Sequence, residues 1–94
     1  MKSDKISKEK LFKYFKVSGD ALNIIKKSII KGKEKEAKEI IEMVENYLSD
    51  AHHFEKKEDF VNAFAALNYA HGWIDSGVRL EVFEVDDDKL FTIK

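Results

Sequence analysis

Ninety-four residues carry 17 lysines and arginines against 18 aspartates and glutamates, with 44% apolar residues and neither cysteine nor proline. One domain is the most such a length supports, and the missing cysteines exclude disulfides, a thiolate zinc site and a cysteine nucleophile. The apolar share is too high for a disordered chain, and no apolar run approaches a membrane span.

The first segment, residues 7–31, has helical periodicity. Leu11, Phe15, Ser18, Leu22, Ile25 and Ile29 recur at spacings of three and four, which places them on one buried face. Ser7 is the expected N-cap, with Ile6 and Leu11 as a hydrophobic staple. Gly19 weakens the helix interior, but the pattern runs through it, so one continuous helix is expected. Gly32 can then turn left-handed and end it.

The second helix is expected over residues 34–56, with Ile40, Ile41, Val44, Leu48 and Ala51 as its apolar stripe. Glu34 and Glu36 suit its positive end, and Lys56 and Lys57 its negative end. The third helix spans residues 59–82, opening on Asp59 as N-cap. It has two apolar stripes, Phe60, Phe64, Leu67, Ile74 and Val78, then Ala63, Ala66, Ala70, Trp73, Gly77 and Leu80. A helix apolar on most sides must be covered on more than one of them. Residues 83–94 form a short appendage. Val82 to Val85 and Leu90 to Ile93 are two β-prone runs around an acidic turn, so an extended segment or small hairpin is expected. The whole is an all-α fold, a three-helix up-down-up bundle forming one domain over residues 1–94.

Few residues offer chemistry. Asp50 and His53 are three apart, and His71 and Asp75 four apart, so each pair shares a helix face. On facing helices they would suit a metal-dependent hydrolase. An antiparallel turn centred on Lys57 and Glu58 offsets the two pairs by a turn or more, however, and sets Tyr47 opposite His71 and Asp50 opposite Asn68. Tyr47, Asp50, Asn68 and His71 are therefore expected to form a hydrogen-bonded polar cluster inside the hairpin. Asp75 and Arg79 read as a surface ion pair. The sequence contains no glycine-rich phosphate loop, no His-Glu-x-x-His and no nucleophile elbow. No catalytic, cofactor-binding or metal-binding residue is assigned, and no cofactor is expected.

Charge divides the chain. Residues 1–33 carry ten lysines against Asp4, Glu9 and Asp20, a net of +7, whereas residues 34–94 carry seven basic and fifteen acidic side chains, a net of −8. Lysines around Phe12, Tyr14 and Phe15 could approach a phosphate backbone, so a nucleic-acid-binding protein is the alternative reading. The near-zero total favours a lysine face set against acidic neighbours in one fold.

Two resemblances follow from the residues of the second and third helices. Tyr47-Leu48-Ser49-Asp50-Ala51, Asp59-Phe60-Val61-Asn62-Ala63 and above all Leu67-Asn68-Tyr69-Ala70-His71-Gly72-Trp73-Ile74-Asp75-Ser76-Gly77 resemble the archaeal domain-of-unknown-function family 357. The resemblance covers nearly the whole chain, including Leu90-Phe91-Thr92, and implies a small helical cytoplasmic domain without an established activity. The same hairpin is similar to one tetratricopeptide (TPR) unit, through Tyr47, Ala51 and Phe54 facing Ala63, Leu67 and Ala70. No second unit follows, and a solenoid needs about three.

The functional expectation is a non-catalytic protein-interaction or self-association module. Its partner would be a second copy, as a dimer, or another protein, met through Ala66, Ala70, Trp73 and Gly77. Nothing suggests a membrane partner. Met1 leads into Lys2-Ser3-Asp4-Lys5 without the apolar stretch of a signal peptide, which agrees with a cytoplasmic location.

Overall fold

A computed structural model describes residues 7–86. They form three α-helices, α1 (Lys8–Lys26), α2 (Glu34–Lys56) and α3 (Phe60–Arg79). Lys26 of α1 meets Glu45 of α2 and Phe15 meets His52, so these helices run antiparallel. Tyr14 of α1 meets Phe64, and Ser18 shares a groove with His71, so α1 and α3 run parallel. The all-α bundle is up-down-up, and α2 and α3 share its most extensive contact.

Side-chain caps explain where α1 and α3 start. The Ser7 hydroxyl accepts a hydrogen bond from the Lys10 N–H at 3.1 Å, and α1 continues through Gly19 without a break. Ile6, the outer half of the expected staple, lies outside the described residues. The Asp59 carboxylate accepts from the Asn62 N–H at 3.3 Å and from the Asn62 side-chain amide at 2.7 Å. The start and end of α2 agree with the residues expected from sequence.

Both helix stops that differ from expectation have a physical reason. The first helix ends at Lys26 and not at 31, because Ser28 to Ile30 pair with Val82 to Glu84. The Ile30 N–H donates to the Val82 carbonyl at 3.0 Å and the Glu84 N–H to the Ser28 carbonyl at 2.8 Å, flanking an antiparallel bridge between Ile29 and Phe83. Isoleucines fit this extended path, and Ile29 leaves the buried face assigned to it. Gly32 does turn left-handed, at φ +95°, but it leads into α2, where its N–H donates to the Glu34 carboxylate.

The third helix ends at Arg79, short of residue 82, in a Schellman closure around Glu81 at φ +62°. There the Val82 N–H donates to the Gly77 carbonyl at 2.8 Å and the Glu81 N–H to the Val78 carbonyl at 3.1 Å. The α2 stop repeats this motif around Glu58 at φ +60°, with Asp59 donating to Phe54 and Glu58 to Glu55. A non-glycine residue in this left-handed region costs about 1–2 kcal/mol, partly offset in a glycine by greater chain entropy. Glu58→Gly is therefore expected to stabilise the fold by about 0.5–1 kcal/mol in urea denaturation.

Two core clusters fill the bundle. Ala51, Ala63, Ala66, Leu67 and Leu11 form one, with Phe15, Phe54, Phe60 and Phe64 at its edge, so the large and small residues of the α2–α3 hairpin interlock. Ile25, Ile40, Val44, Ala70, Ile74 and Val78 belong to the other, which Val82 and Phe83 close from the far end. The start of the C-terminal appendage is extended, and residues 82–84 pair with residues 28–30; residues 90–93, the second arm of the alternative hairpin, lie outside the described residues.

Candidate functional site

Among the described residues the histidines and acids form no group that could hold a metal ion. Asp50 and His53 are exposed on α2, and His53 packs edge-on against its neighbour Phe54, with ring centroids 6.0 Å apart. His71 lies 3.8 Å from Asp75 on α3. Among the described residues no three histidine, aspartate or glutamate side chains converge to hold a metal. The four residues named for the hydrolase reading are not among any such group: Asp50 and His53 lie on the exposed surface of α2, and His71 has Asp75 beside it on α3.

The expected polar cluster also separates. Tyr47 stacks on Tyr69, with centroids 5.4 Å apart, and does not meet His71. Asp50 and Asn68 are exposed. Asn68 and His71 instead line a groove of about 440 Å³ between α1 and α3, together with Tyr14, Ser18 and Asp75. The turn of α3 relative to α2 brings residue 69, and not residue 71, towards Tyr47.

The expected interface is largely interior. Ala66, Ala70 and Gly77 are buried by this chain's own helices and by the segment after α3. An added Cβ at Gly77 would lie 2.5 Å from Phe83 Cε2 and 3.2 Å from Ile40 Cδ1, so this glycine makes room for the Phe83 ring. Trp73 alone of the four keeps a large exposed surface, at 37%.

The apolar surface of α3 that stays free is shifted around the helix from that stripe. Tyr69 is 62% exposed and Leu80 71%, and Val61 and Trp73 belong to the same side. Between them Asn68, Tyr69, Gly72, Trp73 and Ser76 line a shallow hollow of about 340 Å³. Nothing lies within 4 Å of the position a Cβ would take at Gly72. Sequence reasoning passed over Val61 and Tyr69. The signal was present in Val61, Ala65, Tyr69, Trp73, Ser76 and Leu80, which recur at helical spacing, but it does not tell which stripes the other helices cover.

A second apolar region lies where the N-terminal ends of α1 and α3 meet the C-terminal end of α2. Leu11, Phe12, Phe15, His52 and Phe60 line a cleft of about 450 Å³, rimmed by Lys8, Glu9 and Glu55. Phe12 is 75% exposed there, and the His52 ring stacks on Phe15 at 4.3 Å. Three of the five lysines of α1 have local partners: Lys16 pairs with Asp20 at 3.2 Å, Lys26 with Glu45 at 2.8 Å, and Lys10 sits over the Phe64 ring. Exposed pairs of this kind add little stability each. Among the described residues no helix is long and apolar enough to cross a membrane.

A family model described as "Protein of unknown function (DUF357)" matches residues 13–83, from the second turn of α1 to the Phe83 anchor. No curated protein and no solved structure gives a significant match. The matched span takes in the whole α2–α3 hairpin and the glycine that receives Phe83, and the chain belongs to the DUF357 family.

Proposed function

We propose that the protein is a non-catalytic interaction module of the cytoplasm that presents the outer face of α3 to another protein surface. The observation that carries this reading is the exposed row of Val61, Tyr69, Trp73 and Leu80 on an otherwise strongly charged chain. Contiguous exposed apolar surface on a small protein marks an interaction site more often than isolated apolar residues do, and Tyr and Trp are enriched where binding energy concentrates. The stack of Tyr69 on Tyr47 holds one ring in place before a partner arrives, which lowers the ordering cost of binding. Nucleic-acid binding through α1 has weaker support, because Lys16 and Lys26 already pair with carboxylates.

The test is a photo-crosslinking residue at position 69 or 73 in cells that make the protein, with position 38 on exposed α2 surface as control. A discrete light-dependent adduct at 69 and 73, missing at 38, is expected. Equal or absent labelling at all three positions overturns the reading.

A further inference from the structure

We infer that the occupant of the outer face of α3 is a second copy of this chain, packed antiparallel along the helix with the two-fold axis passing between Gly72 and Trp73. The inference rests on the interaction reading above and names its partner.

The order of side-chain sizes carries it. In an antiparallel pair centred between residues 72 and 73, Tyr69 faces Ser76 of the other copy, Trp73 faces Gly72, and Leu80 faces Ala65. Each large side chain meets a small one, and the relation holds in both directions. An isologous contact requires this self-complementarity, because one patch must fit itself. All six residues lie within about 22 Å of helix, at 1.5 Å per residue.

Gly72 fits the same pairing. Glycine in a helix interior is unfavourable relative to alanine, and this chain has no internal use for it. Its φ is not positive, and the place of its missing Cβ is open space, as it also is at Gly19 inside α1, so what sets Gly72 apart is its position at the centre of the uncharged face. Gly77 makes the contrast, since Phe83 fills the space above it. A space left open at the centre of the face is the seat that the partner's Trp73 ring requires.

The absence of charge agrees with a second copy, and the area limits how tightly that copy can be held. The six facing residues carry no charge, although 37% of the chain is charged, so two identical faces meet without like-charge repulsion. With Tyr69 62%, Trp73 37% and Leu80 71% exposed, covering them removes roughly 300 Å² per copy, taking aromatic rings at about 150–250 Å² each. A standard permanent interface buries about 800 Å² per partner. The dimer therefore belongs to the weak, concentration-dependent class.

Sedimentation equilibrium of the full chain, from low micromolar to millimolar concentration, tests this. The apparent mass is expected to rise towards twice the monomer value, and the emission of Trp73, the sole tryptophan, to shift to shorter wavelength over the same range. Gly72→Leu fills the seat and is expected to weaken association about tenfold or more, with the helical circular dichroism and the low-concentration melting temperature kept or raised. Ser76→Leu, which blocks the place for Tyr69, should act likewise. A wild-type chain that stays monomeric at millimolar concentration, or a dimer that neither substitution weakens, overturns the inference. In that event crosslinks from position 73 to a different protein leave the interaction reading standing, and their absence removes both.

Discussion

Phe83→Ala is expected to lower the unfolding free energy by about 3–5 kcal/mol, the usual cost of truncating a buried phenylalanine. Phe83 is only 2% exposed and leads the fully buried side chains in size among the described residues. Its ring occupies the space above Gly77, and its backbone belongs to the segment that pairs with Ser28 to Ile30. Truncation leaves a cavity and also loosens the pairing that ties the α1–α2 connection to the end of α3. Small domains have about 5–15 kcal/mol in total, so the variant should unfold at a much lower urea concentration. Gly77→Ala tests the same contact from the other side. In the wild-type background the Phe83 ring must move, at a cost of about 1–3 kcal/mol, against a helix-propensity gain of about 1 kcal/mol. With Phe83 already reduced to alanine, the clash with the ring is gone and only the closer contact with Ile40 Cδ1, at 3.2 Å, opposes the gain. The two substitutions should therefore couple in a double-mutant cycle, and additive effects would show that the ring does not rest on Gly77.

Ala70→Glu is expected to abolish the folded state. Ala70 is fully inaccessible in the cluster formed by Ile25, Val44, Ile74 and Val78. A carboxylate there loses its water without gaining a cation, and an unpaired buried charge costs more than a small domain can lose. Far-UV circular dichroism should show the loss of helix at every protein concentration. The concentration independence matters. If Ala70 lay at an interface, as its small-residue stripe suggests, the variant would remain a folded monomer. Gly72→Leu, two residues away on the exposed side, should show the opposite behaviour, with the fold intact.

Local signals made most of the helices legible. Ser7 and Asp59 are good caps and act as caps, and the α2 stripe from Ile40 to Ala51 is long enough to define both ends. The stops of α1 and α3 were obscured for different reasons. Ile25 and Ile29 are four apart, which suits one helix face, yet Ile29 takes the extended path because a partner strand arrives from far along the chain. At α3 the left-handed residue is Glu81, so a search for glycine finds no stop. The candidate site was only half legible. Helical spacing identifies two apolar stripes on α3, but which of them is covered depends on where α1 and Phe83 settle, and that is a property of the tertiary packing. Tyr69 went unnoticed for the same reason, because its partner Tyr47 is on another helix.

The pairing of residues 28–30 with 82–84 also bears on the order in which the protein is made. The α2–α3 hairpin relies on near neighbours and can form as soon as both helices have been synthesised. The joint between α1 and α2 is different, because the residues that secure it are translated only after α3. A nascent chain must therefore hold its first helix provisionally, with the hydrophobic seat at Gly77 uncovered, until the segment carrying Phe83 has emerged. A released chain that stops just before that segment should be protease-sensitive and aggregation-prone. The native state then closes like a latch, with the late-synthesised strand locking the early helix.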